Sequence, residues 1–282
     1  MTMSPTPFVR PRQLVLALAL LAAACTGDGS GASAAAKSSK QAGATAGGTK
    51  MESAGDVVIS LPSAPYKAVA VPNAGSISGT VTLSAPLAPL AVVSAGKDSA
   101  TCGRTIADMS APQVGTGLGG VVVWLDGVRS GKPLPLERRL EMESVHCNLV
   151  PRVQGGLVGG AVNVIGHDPL RQHLQFTVGG ESKPRAAILL GRDEQVIPTE
   201  LPTKSPGLVL VRDLEHSWPR AVIAVFDHPY FAVTKPDGSF TIDGVAPGTY
   251  TLVAWHERTK KATERVTVVG GHGTDVALKV TP

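Results

Sequence analysis

The residues of this chain with the widest chemical repertoire are seven histidines and three cysteines. They are His146, His167, His173, His216, His228, His256 and His272, with Cys25, Cys102 and Cys147. Imidazole and thiolate are ligands for zinc and copper and partners in nucleophilic catalysis. Their spacing excludes several chemistries. His256-Glu257-Arg258-Thr259-Lys260 opens like a metalloprotease helix, but that helix needs a second His four residues on, and Lys260 stands there. No Gly-x-Ser-x-Gly nucleophile elbow occurs. Gly115-Thr116-Gly117-Leu118-Gly119-Gly120 has the spacing of a dinucleotide fingerprint. That loop must follow a strand and open a helix to set a pyrophosphate on the helix N-terminus. Here it precedes the apolar run Gly120–Leu125, so it reads as a glycine-rich loop entering a buried strand.

The elements that must position these residues are short strands. The chain has 282 residues, enough for two modest domains, and its 32 Gly and 22 Pro punctuate it throughout without sustained helical periodicity. Ser76–Leu83 alternates apolar and polar residues. Further strands are expected at Ala161–Ile165, Leu174–Val178, Ala186–Leu190, Leu208–Val211, Thr249–His256, Arg265–Val269 and Asp275–Val280. Lys235-Pro236-Asp237-Gly238 is a turn, because proline presets φ and glycine tolerates φ > 0. Its flanks, Phe231 and Val233 before and Phe240 and Ile242 after, predict a hairpin. The net charge of +4 includes Arg10 and Arg12 and has no clustered basic face, so no nucleic-acid partner is expected.

The N-terminus is a targeting signal. Arg10 and Arg12 precede an apolar run, Leu14–Ala24, too short to span a bilayer comfortably. The run ends Leu21-Ala22-Ala23-Ala24-Cys25, which resembles a bacterial lipoprotein signal with Ala22 at the usual Leu position. The resemblance implies cleavage over residues 1–24, a lipid on Cys25 and, with Thr26 following, sorting to the outer membrane. The alternative is an ordinary secretory signal or a short anchor. The next stretch, rich in Ala, Gly, Ser, Thr and Lys, reads as a flexible tether, with residues 25–73 disordered. With Cys25 accounted for, Cys102 and Cys147 remain in an exported chain. A single disulfide is the economical reading, and free thiols are the alternative. It would stabilise by about 3–4 kcal/mol in the chain-entropy model.

The stretch DGSFTIDGVAPGTYTLVAWHE, from Asp237 to Glu257, resembles the carboxypeptidase regulatory-like domain. That family has a transthyretin-like β-sandwich and serves as an accessory module without catalysis. The middle of the chain carries Cys102-Gly103-Arg104, GGVVVWL, HCNLVPRV, GHDPLRQH and the long segment ending HPYFAVT. It resembles exported proteins that fuse a cupredoxin-like sandwich to a carboxypeptidase regulatory-like domain, some of them associated with methylamine utilisation. The resemblance implies an all-β chain: a cupredoxin-like sandwich over 74–226, then the regulatory-like sandwich over 227–282.

This chain departs from that family where the family would hold copper. The family pattern Cys-Asp-x-His-x-Trp-Met is here Asp213-Leu214-Glu215-His216-Ser217-Trp218-Pro219. His216 keeps its place, Asp213 replaces the Cys and Pro219 the Met. An upstream ligand position is displaced by one residue, to His173. The resemblance places counterparts of His167, His173 and His216 at one end of the sandwich, where with Asp213 they could hold Zn or Cu(II) weakly. Otherwise they are solvated histidines of a vestigial loop.

His228, Tyr230, Trp255, His256 and Glu257 form a second group, read either as a functional pairing of His228 with His256 across neighbouring strands or as structural hydrogen bonding at a domain junction. Trp124, Trp218, Trp255, Tyr230 and Tyr250 read as core, although an exposed pair could stack on carbohydrate. The expected protein is a non-enzymatic lipoprotein of the bacterial cell envelope, anchored in the outer membrane and facing the periplasm. It would bind an envelope protein or a glycan and carry no cofactor. The alternative is a metal-binding or electron-transfer protein of cupredoxin descent with a degenerate copper site.

Overall fold

In the computed structural model the described residues are 65–191 and 195–282. The leader, Cys25 and most of the tether lie outside them. Among the described residues no helix is long and apolar enough to cross a membrane. The chain is nearly all β. Among the described residues, helical structure amounts to one 3-10 turn, Gly96–Asp98, and one α turn, Ser99–Cys102.

Four sheets stack as two sandwiches. The first sandwich has one sheet in the order Asn148–Val150, Arg139–Val145, Ala161–Gly166, Val196–Glu200. Its second sheet runs Val153–Leu157, Arg220–Phe226, Gly207–Asp213, Gln172–Val178, Ala186–Leu190. Between them lies a core that includes Met142, Leu149, Val164, Phe176, Val209 and Ile223, all buried. The second sandwich pairs a sheet ordered Phe231–Val233, Val122–Leu125, Gly248–Trp255, Ala262–Val268 with one built around Gly75–Leu83. Ile77, Leu118, Val123, Phe240 and Leu252 fill the space between them.

The expected boundary at 226/227 does not separate the sheets. Residues 227–282 provide five strands and lack a central strand in each sheet. Gly75–Leu83 supplies one, lying antiparallel to Ser239–Val245 and parallel to Gly273–Val280. Val122–Leu125 supplies the other, between Phe231–Val233 and Gly248–Trp255. The first sandwich is thus inserted into the second. Because Val122–Leu125 has covered faces on both sides, it reads as a continuous apolar run. Val123 and Leu125 face the core of their own sandwich, while Val122 and Trp124 join Phe226, Val253 and Trp255 in a third core between the two sandwiches. The interval there is narrow, since a Cβ on Gly155 would lie 2.4 Å from the Phe231 ring.

Two further expectations change. The end of the supposed tether is placed: Lys67–Ala68 pairs with Ser130–Gly131, and the Tyr66 hydroxyl donates to the Lys132 carbonyl at 2.6 Å. An aromatic residue with a partly buried acceptor nearby has reason to dock, and the surrounding composition hides it. The Lys235–Gly238 turn forms, with Gly238 N–H donating to Lys235 O at 2.8 Å. Its flanking strands do not pair as a hairpin, however. Phe231–Val233 pairs with Val122–Leu125, and Ser239–Val245 with Gly75–Leu83, so the turn passes from one sheet to the other.

That turn explains the glycine run. A Cβ on Gly117 would sit 2.0 Å from the Asp237 carbonyl oxygen, and one on Gly119 would sit 2.9 Å from Pro236 Cα. These glycines admit a neighbouring backbone rather than a phosphate.

Candidate functional site

The disulfide forms between Cys102 and Cys147, with Cα atoms 5.6 Å apart. Cys147 and His146 are the two residues of the tight turn joining Arg139–Val145 to Asn148–Val150, and both have positive φ, 60° and 49°. That geometry suits the right-handed twist of a two-residue hairpin. Asp168, itself buried, holds the turn through Oδ2, which accepts from Cys147 N–H at 2.8 Å and from the Ser144 hydroxyl at 2.9 Å. Asp168 was not among the candidate site residues read from the sequence, where it falls within the GHDPLRQH segment.

Cys102 ends the short helical turn of a strap, residues 84–112, that leaves the second sandwich after Gly75–Leu83 and returns to it before Gln113–Val114. Within it Val93–Ser94 pairs with Thr105–Ile106. Beyond the disulfide the strap is fastened at two places. His216 Nε2 lies 3.3 Å from Asp98 Oδ2. At the other end Arg258 donates from Nη1 to Asp108 Oδ2 at 3.2 Å and to the Ser110 hydroxyl at 3.0 Å, and from Nη2 to the Ala88 carbonyl. Asp108 accepts Ser110 N–H on its other oxygen, and these donors hold its carboxyl below the usual range despite partial burial.

The proposed metal ligands do not assemble. His216 and Asp213 do meet, through Nδ1 and Oδ2, and Asp213 Oδ1 accepts His173 N–H at 2.8 Å. The two ring nitrogens of His216 point in opposite directions, each to a carboxylate, Asp213 or Asp98, so the set surrounds the imidazole and leaves no common point for a cation. His167 lies apart, with Nε2 3.3 Å from Glu143 Oε2. Among the described residues no group of three or more His, Cys, Asp or Glu is placed to hold a metal ion.

The second group is also not one site. His228 is buried and its Nδ1 accepts Tyr230 N–H at 3.2 Å. Desolvation pushes its pKa down to about 4, so it is neutral at pH 7. The Tyr230 hydroxyl accepts Lys132 N–H at 2.7 Å and donates to Gly244 O at 3.2 Å, fixing the loop that carries Lys132. His256 is fully buried and bonds Ser110 rather than His228. Burial is the leading cause that lowers its pKa. Trp255 is core. Glu257 receives Arg152 in a two-toothed pair, Nε to Oε1 at 2.7 Å and Nη2 to Oε2 at 3.0 Å, which ties the first sandwich to the second.

Between the strap and the first sandwich is a cleft of about 250 Å³. Trp218 lines it as a half-buried aromatic, its ring centroid 5.0 Å from that of His216. Asn148, Ser217, Arg220 and Asp108 supply polar groups, and Met109 an apolar rim. Arg220 is anchored by Nε, which donates to Ser217 O at 3.2 Å. Trp218 Nε1 is buried without an acceptor among the described residues. A larger groove, about 790 Å³, follows the open edge between Ala186–Leu190 and Val196–Glu200. It has no aromatic or imidazole lining and follows from two sheets whose edges do not close.

The family model of polysaccharide lyase family 4, domain II, matches residues 202–276, which include Ser217, Trp218 and Arg220. No curated protein matches the chain. Among solved structures it is similar to a copper-containing nitrite reductase from Thermus scotoductus SA-01. The identity is 18% over 36% of this chain and 24% of that one, with a TM-score of 0.27. The chain therefore spans about a quarter of that reductase. It is also similar to a reduced Cu(I) form of an amicyanin variant, at 14% identity over 33% of this chain and 86% of that one, with a TM-score of 0.26.

Proposed function

We propose that this chain is a non-catalytic carbohydrate-binding module of the bacterial cell envelope, held to the outer membrane by a lipid on Cys25. The observation that carries the binding reading is the cleft beside Trp218. It combines one aromatic face with an amide, a hydroxyl and a guanidinium in a space of sugar-ring dimensions. Aromatic carbon and directional polar groups together are what a sugar ring, apolar on its faces and polar at its rim, requires. The match of residues 202–276 to a domain of a polysaccharide lyase family supports the same reading. The electron-transfer alternative would need His216 to release a carboxylate from one ring nitrogen before any metal could bind.

Binding is tested by titrating the purified chain with a panel of oligosaccharides while following tryptophan fluorescence. The expected result is saturable binding that Trp218→Ala abolishes. No binding across the panel, or binding that survives Trp218→Ala unchanged, would sink the reading. The anchor is tested by fractionating cells that express Cys25→Ser, which should leave the membrane pellet. Retention there at wild-type levels would remove the lipid from the proposal.

A further inference from the structure

We infer that the Trp218 cleft takes an anionic saccharide, whose acidic group sits on Arg220 while its ring lies against Trp218. This rests on the carbohydrate reading above and names its ligand class. Three guanidinium groups stand at or beside the cleft. Arg152 is matched by both carboxylate oxygens of Glu257. Arg258, behind the strap, is matched by Asp108 and also serves Ser110 and Ala88. Arg220 uses only Nε, on the Ser217 carbonyl, and its outer fork of N–H groups has no carboxylate partner among the described residues.

The strap's acceptors that could have served a neutral, donor-rich ligand are engaged. Asp108 takes Ser110 N–H on one oxygen and Arg258 on the other, and the Ser110 carbonyl takes His256. The Arg220 carbonyl takes Arg152 Nη1 at 3.5 Å. What the cleft offers an acidic group is the Arg220 fork, in a lining that also holds the Ser217 hydroxyl and the Asn148 amide, whose Nδ2 donates to the His146 carbonyl. A planar fork of donors is complementary to a carboxylate or a sulfate. Leu90 and Met109, exposed on the strap side of the same cleft, give the sugar's apolar face a second wall.

The test titrates the purified chain with three tetrasaccharides: cellotetraose, which is neutral, a tetramannuronate, which carries carboxylates, and a sulfated galactan tetramer. The acidic probes should bind at least about tenfold more tightly than cellotetraose, as expected for a charge-assisted pair, and their affinity should fall with added salt. Comparing the two acidic probes shows whether the carboxylate or the sulfate is the natural source. Arg220→Gln should remove the preference for the acidic probes over cellotetraose, and Arg220→Lys should restore part of it. Arg220 is exposed, so both variants should fold, which circular dichroism checks. Equal affinity for neutral and acidic probes, or an Arg220→Gln variant that keeps the preference, would overturn the inference and leave the carbohydrate reading standing. Failure of all three probes would instead overturn the carbohydrate reading itself.

Discussion

His256 donates from Nε2 to the carbonyl oxygen of Ser110 at 2.9 Å, joining the second sandwich to a strap that lies 146 residues earlier in sequence. The other ring nitrogen accepts the backbone N–H of Arg258 at 3.2 Å. Both bonds together define the neutral tautomer, with the proton on Nε2. Arg258 then turns its guanidinium back to the same strap. A protonated imidazole would lose the Nδ1 acceptor and place a charge in a fully buried position beside Arg258 and Arg152, both of which act to lower its pKa.

Acid should therefore weaken the fold above the range where carboxylates titrate. His256 and His228 are both depressed in the folded state, His228 to about 4 from 6.5. The unfolded chain consequently binds more protons than the folded one between about pH 6.5 and 4. Stability is fully present above the unfolded value and is lost as pH falls through that window, by an amount on the order of 2–3 kcal/mol for His228 alone. Urea unfolding at pH 7.5, 5.5 and 4.5 should show a falling midpoint. His228→Asn puts an amide oxygen near the Nδ1 position and so keeps an acceptor for Tyr230 N–H, and it should flatten the fall. A variant as acid-sensitive as the wild type would show that His228 is not its source.

Much of this architecture was legible in the sequence and some was not, for identifiable reasons. Strands with alternating or continuous β-branched residues, such as Gly75–Leu83 and Val122–Leu125, announce themselves. Arg139–Val145 does not: RLEMESV is built of helix-favouring residues and becomes a strand because Leu140 and Met142 face the core. Val153–Leu157 is masked by two glycines, one of which is needed where Phe231 approaches, and Val196–Glu200 by Pro198 on an edge strand. The disulfide followed from counting cysteines. The insertion of one sandwich into the other could not be read, because strand pairing between residues near 80 and residues near 240 and 275 leaves no local signal. The residue types at Asp213 and His216 could be set against the pattern of the resembling family, but only the structure places Asp98 against Nε2 of the ring.

Gly117 tests the account of the glycine run. With the Asp237 carbonyl oxygen 2.0 Å from where a Cβ would stand, Gly117→Ala must push the Lys235–Gly238 turn away from Val81, whose N–H donates to Gly238 O at 2.9 Å. Thermal unfolding should show a loss of about 1–3 kcal/mol, the range for an overpacked site. A Gly115→Ala variant, where nothing lies within 4 Å of the added Cβ, should lose less, from its positive φ of 63° alone. Equal losses at the two positions would contradict the close-approach explanation.

The Arg152–Glu257 pair should couple the sandwiches energetically. Both side chains are mostly buried, 16% and 22% exposed, and the geometry is bidentate, so the pair should exceed an ordinary surface bridge. A double-mutant cycle with Arg152→Met and Glu257→Gln should give an interaction of about 1–3 kcal/mol in urea unfolding. Near-additive losses would mean that the junction is held by the apolar layer of Trp124, Phe226 and Trp255 alone.

The chain should not form a blue-copper centre. Such a centre needs two imidazoles and a thiolate, usually with a distant axial Met, and its colour arises from the thiolate. Cys102 and Cys147 are bonded to each other. Asp213 and Pro219 stand where the resembling family has its Cys and Met, and His216 is bracketed by Asp213 and Asp98. Adding Cu(II) to the purified chain should give at most a pale spectrum from nitrogen and oxygen ligands. Reduction of the disulfide with a phosphine should not change this, because Asp168 still holds the Cys147 backbone in its hairpin turn and both ring nitrogens of His216 still face carboxylates. A strong thiolate-to-copper band, with or without reduction, would show that the sandwich retains a copper site in a geometry this structure does not display.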